Sequence, residues 1–247
     1  MGLFDKKFCS ICGDKIGLLG NRKLEDGNCC KNCAGKLSPW FSERRHSTVE
    51  DIKAQLAYRE ENKAQVAAFH TTRTLGNATK ILLDEDAKKF MVTSARDLAA
   101  ANPDVLNYSD VTGCKLDIDE TRNEEKRKDN EGKEVSYIPP RYTYEYDFDV
   151  IINVNNPYFD EIRFRLNSRT IESQMVVGGG APNMNMNVEY QECLKMGEEI
   201  RETLLQVRQD VRDSAAPKTA KTCPGCGAST VGDANGRCEY CGTALTP

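Results

Sequence analysis

A chain of 247 residues with 39% apolar and 29% charged side chains is long enough for one sizeable core with small attachments, or for two modest domains. Its net charge of −4 and pI near 5.5 argue against tight sequence-independent nucleic-acid binding, which rests on neutralising phosphates, though a local basic face remains open to it. No stretch approaches the roughly 18 apolar residues that a membrane helix needs, and the opening MGLFDKKFC has neither an apolar signal core nor, with Lys6 where Ser or Thr belongs, a myristoylation motif after Gly2, so a cytoplasmic location is expected.

Eleven cysteines are unevenly placed. Nine lie at the two ends (Cys9, Cys12, Cys29, Cys30, Cys33, and Cys223, Cys226, Cys238, Cys241), and only Cys114 and Cys193 fall between. In a cytosolic chain, cysteines two residues apart read as metal ligands rather than disulfides.

The first segment reads CSICGDKIGLLGNRKLEDGNCCKNCAGKLSPW. Cys9–Cys12 and Cys30–Cys33 are CxxC pairs separated by 17 residues, a usual span for a four-cysteine zinc site. Gly13 after the first pair tolerates the positive φ that lets backbone N–H groups approach the sulfurs. Four thiolates close a tetrahedral site with no position left for water, so this metal is structural. The second pair opens a short helix that Pro39 must end. A turn-borne pair followed by a helix-borne pair resembles the treble clef. Ile16, Leu18, Leu19 and Leu24 are the expected small core, with Trp40 and Phe41 anchoring the module; Cys29 is surplus, since only Cys30 keeps the spacing to Cys33. The rival reading, a redox CxxC, does not usually come as two spaced pairs.

From Thr48 to about Phe69 the pattern is helical, capped by Ser47 or Thr48 with acids in the first turn. Its stripe of Val49, Ile52, Leu56, Ala64 and Ala67 is thin and the intervening REENK polar, which predicts an exposed connecting helix. From about Thr71 to Asn167 the period is two. TKILLD and KFMVT form a hairpin about EDAK, and DVTGCKLDID sets Cys114, Leu116 and Ile118 on one face. In YTYEYDFDVIINV the aromatic and aliphatic positions face one way while Glu145, Asp147 and Asp149 face the other. EIRFRL returns with Arg163 and Arg165 beside that acidic row, which is then a neutralised solvent face rather than a pair of catalytic carboxylates. The charged stretch TRNEEKRKDNEGKEVS reads as a mobile tip between strands. Near the end, NVEYQECLKMGEEIRETLLQVRQDVRD is an amphipathic helix capped by Asn187, with Cys193, Leu194, Ile200, Leu204, Val207 and Val211 on its stripe.

The tail, KTCPGCGASTVGDANGRCEYCGTALTP, carries Cys223–Cys226 and Cys238–Cys241 eleven residues apart, each pair followed by glycine. It resembles a zinc ribbon, with Tyr240 inside the second knuckle either as a contact residue or packed on its own hairpin. DSAAPKTAKT before it is small and polar, a flexible linker.

No catalytic constellation emerges. His46 and His70 lack spaced partners, Gly178–Gly180 runs into APNMN rather than GK[ST], and Cys114 and Cys193 fall on apolar faces as buried thiols. Met184, Met186 and Val188 alternate as a strand edge or cover.

Antiparallel strands closed by one C-terminal helix, over roughly residues 66–213, resemble a pleckstrin-homology-like (PH-like) barrel of the bacterial kind. The run CSICGDKIGLLGNRKLEDGNCCKNCAGKL itself resembles a bacterial zinc-domain family of undefined role, often joined to such a barrel. The resemblance implies an α+β layout: residues 1–41 a four-cysteine zinc domain, 46–69 the connecting helix, 70–213 the PH-like β domain with its helix, 214–221 a linker and 222–247 the ribbon. The expected cofactor is zinc, two structural ions, held by Cys9, Cys12, Cys30 and Cys33 and by Cys223, Cys226, Cys238 and Cys241. The expected function is a non-enzymatic adaptor that recognises a protein partner. The first alternative is nucleic-acid binding through Arg22, Lys23, Lys31 and Lys36 near the first site and Lys218, Lys221 and Arg237 near the second. The second alternative is lipid binding by the barrel, which fold alone does not imply.

Overall fold

A computed structural model describes residues 7–215, 220–232 and 236–245; Gly2, Lys6 and Lys218 lie outside them. The chain divides into two units, Met1–Arg208 and Gln209–Pro247.

The first unit begins with two tiny hairpins, β1 (Lys7–Phe8) with β2 (Lys15–Ile16) and β3 (Arg22–Lys23) with β4 (Asn28–Cys29), followed by the one-turn helix α1 (Lys31–Ala34). Elements this short bury little. Their core is Ile16, Leu24, Cys29 and Leu37 grouped about the ligand cysteines, and it is completed by Ile52 from the next helix, which is wholly buried. Phe41 packs against this group as expected. Leu18 and Leu19 do not: they stand 94% and 89% exposed at the apex of a turn in which Gly20 N donates to Gly17 O (3.0 Å). Ile52 of the following helix is in this core and the two leucines are not.

Helix α2 (Val49–Ala68) starts at a capping box: Thr48 Oγ1 accepts from Asp51 N (3.2 Å) and Asp51 Oδ2 accepts from Thr48 N (2.8 Å). Its inward face corrects the sequence reading. Ala64 and Ala67 are exposed, and the buried residues are Ile52, Gln55, Arg59, Asn62 and Val66, spaced by three and four. Arg59 and Asn62 find partners about forty residues away, whereas both amide atoms of the buried Gln55 have no hydrogen-bond partner among the described residues. Arg59 Nη1 pairs with Asp104 Oδ1 at 2.8 Å, Ser38 Oγ donates to Asp104 Oδ2 (2.7 Å), and Arg59 Nε donates to Lys36 O (3.3 Å). Asn62 Nδ2 donates to Asn102 Oδ1 and Pro103 O (both 2.8 Å), its Oδ1 accepts from Val105 N (3.0 Å), and Asn102 Nδ2 donates to Arg59 O (2.8 Å). Burial pushes the Asp104 carboxyl above its ordinary range, against the pull of Arg59. This network ties the cysteine module, the helix and the following sheet together.

That sheet is a four-stranded antiparallel meander of β5 (Arg73–Gly76), β6 (Lys80–Asp84), β7 (Lys89–Thr93) and β8 (Leu106–Asn107), with the short helix α3 (Leu98–Ala101) before β8. Val66 of α2 packs on Leu82, Met91 and Val105. The second sheet is built on one long strand. β9 (Val111–Lys128) pairs along β10 (Glu134–Val154), whose other edge takes β11 (Glu161–Arg165), β12 (Ile171–Glu172) and β13 (Val176–Val177) in turn. Among the described residues no strand pair joins the two sheets, so the antiparallel sheets stay open and the expected closed barrel is not formed. The reason is local: β8 is two residues long, and β9 pairs with β10 alone.

The charged stretch expected to be a mobile tip is instead paired strand as far as Lys128 and from Glu134 on. Both faces of that ribbon meet solvent, so polar side chains cost it nothing, and Arg122 stacks on Tyr142 at 3.6 Å. The acidic row is neutralised as expected, Arg163 pairing with Asp149 (3.3 Å) and Arg165 with Asp147 (2.9 Å). These half-exposed pairs organise the face more than they stabilise it. The final helix, α4 (Val188–Ala215), is capped by Asn187 Oδ1, which accepts from Tyr190 N (3.0 Å). Tyr190 meets Tyr146 and Phe148 edge-on, each at 5.0 Å, and Cys193, Ile200 and Leu204 are buried. Gly197 lies on this face because a Cβ there would stand 2.5 Å from Leu116 Cδ1. The second unit carries the short hairpin β14 (Lys221–Thr222) and β15 (Ser229–Thr230). No helix among the described residues is long and apolar enough to cross a membrane.

Removing Asp104 strands the Arg59 charge in a dry site. Asp104→Ala is therefore expected to cost about 3–5 kcal/mol in denaturant unfolding of the first unit. The double variant Arg59→Met/Asp104→Leu, which removes both charges, is expected to lose less than either single change.

Candidate metal centres

The first centre is assembled from two kinds of support. Cys9 and Cys12 sit on the knuckle between β1 and β2, where Gly13 adopts φ +79° and its N–H donates to Cys9 O (2.8 Å). Cys30 is the N-cap of α1, and its sulfur accepts from Cys33 N (3.4 Å); Cys9 Sγ accepts from Cys30 N (3.3 Å). The four sulfurs lie within 4.8 Å of one another, with Cys12 and Cys30 at 3.8 Å. A tetrahedral ion with bonds of about 2.3 Å sets its sulfurs about 3.8 Å apart, whereas a disulfide needs about 2 Å. The donor set therefore fits one tetrahedral metal ion, and all these thiols are unbridged.

The second centre uses two knuckles. Cys223 and Cys226 precede Gly227 (φ +73°), and Cys238 and Cys241 precede Gly242 (φ +71°); each glycine N–H donates to the carbonyl of the first cysteine of its pair (2.9 and 2.8 Å). The four sulfurs again lie within 4.8 Å, Cys223 to Cys241 at 3.5 Å and Cys226 to Cys238 at 3.7 Å. Gly225 N–H donates to Cys223 Sγ (3.3 Å), and any Cβ at Gly225 would stand 2.4 Å from Thr243 Oγ1. Thus Gly225, which spacing arguments pass over, allows the two knuckles to close.

The surroundings favour thiolates at chosen positions. Burial opposes the charge on Cys9, but the backbone N–H groups of Cys12, Cys30 and Ile11 prevail and hold it at about 6. The hydroxyl and N–H of Thr243 hold Cys241 at about 6. Desolvation raises Cys33, and at Cys226 the Ala228 N–H lowers the thiol but is outweighed by hydrogen bonding with Cys241 and the other sulfurs and by desolvation, which push it up to about 12.

Cys29 is outside both groups. It points into the module's core, fully buried, and burial followed by the neighbouring sulfurs pushes it up to about 11. It is a core thiol, not a competing ligand. Cys114 is half-buried and burial raises it to about 12, while Cys193 is buried on α4. His46 and His70 are exposed and belong to neither group. Trp40 does not join the module's core but lines a cleft with Pro39, Val92 and Phe164.

Residues 7–55 match the family model of a domain of unknown function (DUF4428). The matched span ends inside α2, where the module's core also ends, with Ile52 buried in it and Leu56 packed at its edge. No curated protein and no solved structure matches the chain.

Atomic emission on the purified chain is expected to find two thiolate-bound metal ions per chain. Cys30→Ser is expected to lose one of them and to unfold the first module, since ion binding of about 10–16 kcal/mol is part of such a module's folding energy. Cys29→Ser is expected to keep both.

Proposed function

We propose that both ions are zinc and structural, and that the chain is a non-enzymatic interaction protein whose second unit recognises a protein partner. Four-thiolate tetrahedral sites select zinc or iron among the common metals, and they leave no open position at which water could be activated. In this reading the first centre is a treble clef and the second a zinc ribbon. The meander, the sheet on β10 and the packed helix α4 are a PH-like domain in element order, with the barrel left open.

The observation that carries the partner is Tyr240. It sits between Cys238 and Cys241, and 73% of it is exposed. It does not pack on its own hairpin, and a large aromatic held out on a metal-stiffened knuckle loses little entropy when it is buried by another protein. Nucleic acid is less favoured because the chain's net charge of −4 opposes phosphate binding.

Native pull-down with mass spectrometry, with and without nuclease, tests this on the intact chain, on a version ending at Asp213 and on Tyr240→Ala. The expected result is a nuclease-resistant protein partner, lost on truncation and weakened at least tenfold by Tyr240→Ala while both metals are retained. Association that disappears with nuclease would replace the reading with nucleic-acid binding.

A further inference from the structure

The first unit carries a second feature, independent of the partner surface just described. Residues 17–20 form a tight turn, Gly-Leu-Leu-Gly, on the metal-bearing module. Turn corners ordinarily hold Gly, Pro, Asn, Asp or Ser. Here they hold two leucines almost entirely in water, and nothing in the module's core requires them.

Beside this apex lies an open cleft of about 730 Å³. Its walls carry four cations, Arg22, Lys23, Arg44 and Arg45, against one carboxylate, Glu25. Among the described residues none of the four cations is in an ion pair. Arg22 is instead positioned by carbonyls, Nη1 donating to Leu19 O (3.2 Å) and Asn21 O (3.3 Å), and Arg44 Nη1 donates to Lys23 O (2.9 Å). Carbonyl partners orient a guanidinium without cancelling its charge. The Arg22 bond also fastens the leucine turn to the cleft.

We propose that this module docks on an anionic lipid surface. Leu18 and Leu19 enter the boundary between headgroups and acyl chains, and the four cations take the headgroup phosphate. The shape selects the partner. A projecting apolar apex backed by positive charge suits a surface it can penetrate, whereas a protein would have to offer a pocket of matching depth, and a nucleic-acid backbone gains nothing from two aliphatic tips. Against the chain's net charge of −4, this local charge asymmetry is an orienting element toward an anionic membrane.

The test is flotation of the full metal-loaded chain with vesicles of phosphatidylglycerol and phosphatidylcholine in equal parts, against phosphatidylcholine alone. Binding is expected only to the anionic vesicles and is expected to weaken as salt rises. Leu18→Ser/Leu19→Ser is expected to weaken it at least tenfold, and Arg45→Ala by roughly fivefold. Both variants change exposed side chains, so both should keep the wild-type metal content and melting temperature. No binding to the anionic vesicles would overturn the proposal, and so would binding indifferent to the leucine pair. Displacement of the vesicles by a single-stranded oligonucleotide that the leucine variant binds as tightly as wild type would also overturn it, and would make the cleft a nucleic-acid phosphate site.

Discussion

Arg59 and Asp104 meet at 2.8 Å with almost no solvent at either side chain. Desolvating two charges is costly, and their attraction repays it only when the remaining hydrogen-bonding positions are also met. Here Ser38 donates to the carboxylate and the carbonyl of Lys36 accepts from the guanidinium, while one turn further along α2 Asn62 donates to Asn102, which donates in turn to the Arg59 carbonyl. These partners belong to three separate stretches of chain, so the pair can exist only when the cysteine module, the helix and the meander are assembled together. A helix described by its apolar residues alone looks like a spacer; with its polar residues in place it is the joint of the first unit.

The metal modules follow a different logic. Their strands are two residues long, and a handful of apolar side chains cannot offset the entropy of ordering them. Coordination supplies what burial cannot, and the backbone is shaped to suit it: positive-φ glycines after the turn-borne pairs, a helix N-cap at the remaining pair, and N–H groups directed at sulfur. Where bound ions would carry the stability of such modules, surface side chains on them are free to do something other than pack. Among the described residues, Leu18, Leu19 and Tyr240 are the most exposed large apolar side chains on them.

In the sequence between the modules, β10 is the central strand on which four others pair. Its alternation places tyrosines and aliphatics under α4 and carboxylates beside Arg163 and Arg165, so one strand sets both the core and the neutral outer face.

The sequence alone determined whatever rests on short, regular spacing. The two CxxC quartets, the period-two alternation of β10, the Asn187 cap, a cap at Ser47 or Thr48 and the pairing of the arginines with the acidic row were all legible, because each depends on residues a few positions apart, on repeated spacing or on adjacent strands of a hairpin. Only the tertiary structure decided which residues are buried where the chain folds back from afar. It moved Leu18 and Leu19 out of the core and Ile52 into it, turned Arg59 and Asn62 from a solvated face into a buried joint, gave Cys29 to the core, and left the sheets open. Hydrophobic periodicity records how a segment meets an apolar neighbour; it holds no trace of a polar partner forty residues away, or of which of two nearby apolar groups the packing will accept.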